Sequence, residues 1–458
     1  MKTIRVIGGG LAGPEAALQA ASRGHKVQLF EMRPIRSTEA HQTGDFAELV
    51  CSNSLKSESE NSAPWLLKQE MRRAGSFLLA EADATAVPAG HALAVDRVAF
   101  SARVAARLAA NPNITIIRDE VTSLDPADAD LTVLASGPLT SKPLTDALQQ
   151  ITGSEHLAFY DSISPIVDAG SIDMNKVYMA ARWDKGTADY INCPFTKEEY
   201  DAFIDALTTA ETVQAKEWEN LPTDNKQQTA NNKPLNYFEG CLPIEETARR
   251  GRDTLRFGPM KPAGLTNPKT GRWPYAAVQL RCENLRADSY NLVGFQNHLK
   301  FGEQARILRM IPGLERATFL RYGQIHRNTY IHAPSLLTAT LQLKARPDIL
   351  IAGQLSGVEG YTESIASGML AGIFAAELLE GRTPAPAPRA SAHGSLIHYI
   401  THSEAKTFQP ANITFDLLPP LEEDLRKRIR DKKERHRIQC ERALEAWQIW
   451  LQAAAVGV

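Results

Sequence analysis

A short apolar strand that runs directly into a glycine fingerprint opens the chain: Ile4-Arg-Val-Ile7 is followed by Gly8, Gly9, Gly10, Leu11, Ala12 and Gly13. Few folds accommodate such a turn, because each spaced glycine answers a steric demand of a dinucleotide-binding βαβ unit. Gly8 permits the tight strand-to-helix turn, Gly10 lets the backbone approach a pyrophosphate, and Gly13 lets the following helix sit close to the sheet. The diphosphate then lies on a helix N-terminus, where N–H groups and the dipole favour an anion. Pro14 is tolerated there because its missing N–H has no partner in the first turn. Small and apolar residues run to Ser22, Gly24 ends the helix, and Lys26 to Met32 reads as a second strand carrying Glu31, where an acid binds a ribose hydroxyl.

A third nucleotide-domain element is Leu131-Thr-Val-Leu-Ala-Ser-Gly137-Pro138, a buried strand ending in a glycine, of the kind that returns beneath the cofactor in FAD-binding proteins. From Asp348 the pattern recurs: Ile349-Leu-Ile351 enters a loop with Gly353, Gly357 and Gly360, then Tyr361 and a helix to about Glu380. Amides in this loop suit the second half of a dinucleotide. No second GxGxxG follows a strand, so a separate nicotinamide domain is not expected, and one long-bound dinucleotide, FAD rather than NAD, fits better. The expected fold class is α/β: a Rossmann-type sheet in a glutathione-reductase-like FAD-binding domain with a smaller inserted domain. The boundaries read as 1–170 and 291–418 for the two parts of the FAD domain, 171–290 for an aromatic- and amide-rich insertion, and 419–458 for a basic helical tail after a Pro/Ala linker. The last helix of that tail is expected to carry Arg426, Lys427, Arg428, Arg430, Lys432, Lys433, Arg435 and Arg437.

With 458 residues and 43% hydrophobic content the chain is long enough for two or more domains. A net charge of -2 and a pI near 6.6 mean that nucleic acid would have to be bound through local patches. The five cysteines (Cys51, Cys193, Cys241, Cys282, Cys440) show no CxxC pairing, so neither a metal cluster nor a disulfide framework is expected. A cytoplasmic protein without signal peptide or membrane span is the expectation.

Two cysteines stand in unusual contexts. Cys51 lies in the polar stretch Glu48-Leu-Val-Cys-Ser-Asn-Ser-Leu-Lys56. Cys241 lies in Asn236-Tyr-Phe-Glu-Gly-Cys-Leu-Pro-Ile-Glu245 and is followed by Arg249, Arg250, Arg252, Arg256 and Lys261. Nearby cations favour a thiolate, so Cys241 has a sequence neighbourhood suited to a nucleophile. Cys193, Cys282 and Cys440 read as packing residues. The same arginine-rich stretch includes Thr254-Leu-Arg-Phe-Gly-Pro-Met-Lys-Pro-Ala-Gly264, whose cations and aromatic suit phosphate contacts and the stacking of an unpaired base, or else form a solvated loop. Arg321-Tyr-Gly-Gln-Ile-His326-Arg-Asn328 combines donors and aromatics at the return to the nucleotide domain.

Taken together, GGGLAGPEAA, Leu49-Val-Cys-Ser-Asn-Ser-Leu-Lys56, Gly240-Cys-Leu-Pro-Ile-Glu245, TLRFGPMKP, Arg321-Tyr-Gly-Gln-Ile-His-Arg-Asn-Thr329 and GQLSGVEGY resemble the folate- and FAD-dependent tRNA (uracil-5-)-methyltransferases, up to about Leu418. Asn297, where a small hydroxyl residue is expected, departs from the pattern, and the tail beyond Pro420 matches no signature.

The resemblance implies methylation of the T-loop uridine (position 54) of tRNA, with 5,10-methylenetetrahydrofolate as carbon source, reduced FAD as reductant and NAD(P)H as its transient supply. It implies that Cys241 attacks uracil C6, that Cys51 near the flavin assists carbon transfer or proton removal, and that Tyr361 lies at the flavin. Expected partners are tRNA, through its T arm, and folate; no membrane, metal or obligate protein partner is expected. The competing readings are a related flavoprotein that modifies the tRNA wobble uridine, a tRNA-binding chaperone with structural FAD, and a flavin oxidoreductase of small molecules.

Overall fold

The computed structural model describes residues 2–38, 40–125, 129–153, 157–184, 187–213 and 242–455. Five parallel strands form the first sheet, in the order Ile349–Ile351, Leu131–Leu134, Thr3–Ile7, Lys26–Phe30, Ile114–Ile117. Thr3–Ile7 therefore lies at the centre, and Ile4 and Val6 are fully buried, as a parallel sheet covered on both faces requires. The first helix, Ala12–Ser22, packs against the long helix Tyr361–Leu379. Small residues set this approach: a Cβ on Gly368 would stand 2.3 Å from the Ala12 carbonyl oxygen, and one on Gly372 2.5 Å from that of Ala16. Among the described residues the long helix alone is long and apolar enough to cross a membrane, but its apolar stretch is 94% buried inside the fold.

A second, antiparallel sheet runs Tyr178–Met179, Tyr190–Phe195, Ala276–Cys282, Ser289–Leu292, Ile166–Asp168, Phe319–Arg321. Three of these strands lie within 171–290, Ser289–Leu292 crosses its end, and Ile166–Asp168 and Phe319–Arg321 come from either side of it. Helix Lys197–Thr208, opened by a reciprocal Thr196/Glu199 capping box, lays Tyr200, Phe203, Ile204 and Leu207 into a second core with Phe195, Val278, Leu280 and Phe295. The chain enters and leaves this sheet through a two-stranded ribbon, Leu157–Ser162 paired with Ile325–Tyr330.

The basic run near the C-terminus departs from the expected single helix. It is divided between Glu423–Arg428 and the start of Lys432–Ala455, with Ile429 extended between them (φ -96, ψ 105). The physical reason is Asp431: its side chain accepts from the Lys433 amide (3.0 Å) and its carbonyl from the Arg435 amide (3.1 Å), which starts a new helix there. This last helix is anchored in the main core by Cys440, Ala443, Trp447 and Trp450. Trp447 stacks on His393 (centroids 4.4 Å apart) and donates its indole N–H to the Glu70 carbonyl at 2.8 Å. The buried Glu70 carboxylate in turn accepts from the amides of Ala392 (2.7 Å) and His393 (3.0 Å), satisfying orphan donors at the start of helix Ala392–His402. Replacing Trp447 by Ala is expected to cost about 3–5 kcal/mol, the usual range for a deleted core aromatic, measured by denaturant unfolding; a loss under about 1 kcal/mol would contradict this anchoring.

Candidate active site

The first glycine turn has the sterics its sequence implies. Gly8 adopts φ +113 and donates to the Phe30 carbonyl at 2.8 Å. A Cβ on Gly13 would lie 1.8 Å from the Gly8 oxygen, whereas one on Gly10 would meet nothing within 4 Å. The first helix, with Leu11 at its N-cap, has no side-chain cap. Its leading N–H groups and the open space at Gly10 form a cradle of the shape that receives a phosphate.

Glu31 is buried beside this turn, accepting from the Gly9 amide (2.7 Å) and from Arg33 Nε (2.9 Å). Burial opposes its ionisation, but the hydrogen bond and charge of Arg33 prevail and hold the carboxyl below its ordinary range. Gly137 (φ +71) closes the Leu131–Leu134 strand; Gly353 (φ +71) and Gly357 (φ +92) shape the second turn, and Gly360 (φ +107) caps the long helix.

Three consecutive residues at the start of that helix grip the segment that carries Cys51. The Tyr361 hydroxyl accepts from the amides of Cys51 (2.7 Å) and Ser52 (3.3 Å), Thr362 donates to the Leu55 carbonyl (3.0 Å), and Glu363 pairs with Lys56 (2.6 Å). From below, the buried Lys68 ammonium donates to the carbonyls of Leu55 (2.9 Å) and Lys56 (3.2 Å) and pairs with Glu58 (2.8 Å). Desolvation pushes the Tyr361 phenol well above its ordinary range, so it stays protonated.

Arginines from three distant parts of the chain surround the same loop. Arg97 donates to the carbonyls of Leu49 and Cys51 and pairs with Glu283 at 2.5 Å. Desolvation works against the Arg97 charge, yet Glu283 outweighs it and the net direction is upward. Arg281 donates to Ser52 Oγ (2.8 Å) and Asn53 Oδ1 (3.1 Å). Arg321 donates to the Ala40 carbonyl (3.3 Å), while its buried Nε has no partner among the described residues; burial first, then Arg97, lowers its affinity for its proton. Fully buried Asn53 ties the short strand Ala92–Val95 to the second sheet by donating to the carbonyls of Val95 (3.1 Å) and Cys282 (3.0 Å).

Of the cysteines, Cys51 is half-buried, and Cys193, Cys282 and Cys440 are buried. Desolvation raises all three buried thiols, that of Cys440 to about 12. Cys241 lies outside the described residues. The stretch just after it is pinned: buried Glu245 accepts from the His298 amide (2.8 Å) and lies 2.7 Å from His298 Nδ1. Asn297 is buried and donates to the Phe295 carbonyl at 3.1 Å. The His326 side chain is also outside the described set.

The arginines after Cys241 mostly meet acids. Arg249 pairs with Glu246, Arg252 with Asp201 (2.9 Å) and Asp205 (2.6 Å), and Arg256 with Asp253 (3.0 Å) while lying 3.7 Å over the Tyr275 ring. Arg250 and Lys261 are exposed. The cluster of Arg97, Arg281 and Asn53 around Cys51 was not readable from local sequence; Arg321 stood in a quoted motif but with no partner to give it a role.

A Rossmann-type sheet with two glycine turns and a cysteine loop beneath the second defines an α/β protein of the FAD-dependent class. The chain matches the family described as Glucose inhibited division protein A (GIDA) over residues 3–383. It is 66% identical over 453 residues to the methylenetetrahydrofolate--tRNA-(uracil-5-)-methyltransferase TrmFO of Koribacter versatilis, and 60% identical over 456 residues to that of Solibacter usitatus, covering 99% of each chain in both pairs. Among solved structures, Aquifex aeolicus GidA in its form II crystal shares the fold at a TM-score of 0.67 with 16% identity, covering 99% of this chain and 74% of that one. The chain belongs to the GIDA family and, within it, to the methylenetetrahydrofolate--tRNA-(uracil-5-)-methyltransferases.

In the reduced native protein, iodoacetamide near pH 8 is expected to label Cys51 well before Cys193 and Cys440, which should react only after denaturation. Mass spectrometry of the labelled peptides checks this, and labelling of Cys440 at the Cys51 rate would contradict the packing of the last helix.

Proposed function

We infer that this chain is a folate- and FAD-dependent tRNA (uracil-5-)-methyltransferase that places a carbon from 5,10-methylenetetrahydrofolate on C5 of the T-loop uridine at position 54. Relatives so named at 66% and 60% identity support the reaction class. The observation in the chain itself that carries the reading is the Cys51 loop, tied through the Tyr361 hydroxyl to the second glycine turn and ringed by Arg97, Arg281 and Arg321. A tRNA substrate also makes a cytoplasmic location the natural expectation.

FAD would lie with its diphosphate on Gly8, Gly9, Gly10, Leu11, Ala12 and Gly13, a ribose at Glu31, and its other half along Gly137, Gly353, Gly357, Gly360 and Tyr361. The empty space at Gly10 and the uncapped first helix fit that assignment. When bound and reduced, the flavin supplies the electrons that convert a one-carbon unit into a methyl group, with NAD(P)H as their transient source.

The chain's own residues must activate the uridine. C5 of uracil is a weak nucleophile until a thiolate adds to C6 and leaves an enolate. Cys241 is assigned that addition; Cys51 is assigned assistance to carbon transfer or removal of the C5 proton, after which expulsion of the C6 thiolate restores the ring. The pinning of Glu245 by His298 steadies the backbone four residues after Cys241. Arg249, Arg250, Arg252, Arg256 and Lys261 are the proposed phosphate contacts. Because Arg249, Arg252 and Arg256 already meet carboxylates, they would bind RNA by sharing or exchanging those partners.

Incubating the flavin-loaded protein with unmodified tRNA, methylenetetrahydrofolate and NADPH should yield 5-methyluridine at position 54. Cys241→Ala should retain FAD and tRNA affinity, lose methylation and lose the covalent adduct that wild type forms with 5-fluorouridine-containing tRNA. An adduct that persists moves the nucleophile to Cys51; binding without methylation in wild type would favour an RNA chaperone. Gly10→Val should lose FAD occupancy while the apoprotein keeps its melting temperature, since a Cβ there meets no atom of the described residues within 4 Å. Full flavin content in that variant would put the cofactor elsewhere.

A further inference from the structure

Trp183 and Trp273 are two large rings that folding leaves on the surface, 54% and 49% exposed. They stand edge to face with centroids 5.1 Å apart. Trp183 has a left-handed backbone (φ 62, ψ 26), a conformation bulky residues rarely adopt and which persists only where the surroundings enforce it. Here they do: its amide donates to the Gly264 carbonyl at 2.7 Å, and its ring lies so close over that turn that a Cβ on Gly264 would be 2.7 Å from it. Neighbouring Arg182 clamps the turn by donating to the carbonyls of Lys261 (3.0 Å) and Ala263 (2.6 Å). The strained turn holds the indole at the surface.

The location links this pair to the reaction. Arg182 also donates to Gln279 Oε1 (2.8 Å), and Arg281, two residues further along the same strand, donates to Ser52 beside Cys51. Residues two apart share one face of a strand and lie roughly 7 Å apart along it. The Trp183 turn and the Cys51 loop are therefore carried by the same strand face. Lys261, in the turn that Arg182 clamps, and Arg272, next to Trp273 in the chain, are exposed and without a carboxylate contact among the described residues; Asp184 is the acid next to Trp183 in the chain.

We propose that Trp183 and Trp273 form a stacking platform for an unpaired base adjoining the uridine to be methylated, with Lys261 and Arg272 holding its phosphates. This rests on the tRNA-methyltransferase reading. Aromatic faces flanked by cations accept any unstacked base, because every base has a π-face. A target uridine drawn out of a folded loop leaves its neighbours unstacked, and a platform for one of them offsets that cost.

The test uses flavin-loaded wild type, Trp183→Ala, Trp183→Phe and Trp273→Ala with a T-arm stem-loop RNA and a duplex of equal length. Trp183→Ala is expected to weaken stem-loop binding about tenfold with an unchanged salt slope, as loss of stacking but not of a phosphate contact requires. Trp183→Phe should recover most of that loss, and flavin content and NADPH oxidation without RNA should stay at wild-type level. Stem-loop RNA should quench wild-type tryptophan fluorescence, and the duplex should not. If alanine variants fold poorly, the quenching and the Phe variant still decide. Wild-type affinity in Trp183→Ala, or equal quenching by duplex, overturns the platform while methylation by wild type stands; wild type that neither binds nor methylates tRNA overturns the functional reading as well.

Discussion

Backbone contact between the first helix and the long helix is the constraint on which the rest of the molecule depends. Gly368 and Gly372 let Tyr361–Leu379 touch the main chain of Ala12 and Ala16, and no side chain larger than hydrogen fits at those crossings. With Gly368 level with Ala12, the long helix begins seven residues earlier, roughly 10 Å beyond the start of the first helix at ~1.5 Å per residue. Both glycine turns thus lead into helices that touch each other. The same contact fixes Tyr361, Thr362 and Glu363, and through them the loop of Cys51.

That loop illustrates how buried polar groups are afforded by pairing. Lys68, Asn53, Glu363 and Arg97 would each be costly in a protein interior, and each is engaged by backbone carbonyls, amides or an opposite charge. Among the described residues, three buried atoms around the loop stand outside this pattern: Arg321 Nε, Glu363 Oε2 and Glu283 Oε1. Buried polar atoms left without a protein partner are completed by water, an ion or a bound ligand. The arginines also draw the second sheet into the site: Arg281 belongs to strand Ala276–Cys282, so Cys51 is positioned by both units at once.

Local sequence carried the nucleotide fold well because its signals are local. The first strand, its glycine turn, the helix to Ser22, the strand at Lys26 and the second turn at Gly353 to Gly360 all lie where glycine spacing and apolar runs put them. The environment of Cys51 was not legible for the opposite reason. Arg97, Arg281 and Arg321 are separated from it by 46 to 270 positions; nothing near Arg97 or Arg281 marks them, and the motif around Arg321 does not say what it faces. Charge was misleading at short range: the arginines after Cys241 look electropositive in the sequence, yet Asp201, Asp205, Glu246 and Asp253 fold against three of them. The tail shows mainly its basic residues in the sequence, but four turns after its start the last helix carries Trp447 into the core, a periodicity hidden by the density of charges before it.

The division of labour between the sheets follows from their connections. A parallel sheet with its glycine turns suits a dinucleotide. The antiparallel sheet is inserted through a two-stranded ribbon, and its strand Ala276–Cys282 turns alternate residues to one face. On that one face, Gln279 meets the arginine beside Trp183 and Arg281 meets the loop of Cys51. A shift of one residue in the Tyr190–Phe195 pairing would turn both side chains to the opposite face and separate the two sites. Register in the second sheet is therefore a functional constraint as well as a folding one, and the buried Leu280, pointing the other way into the second core, is what enforces it.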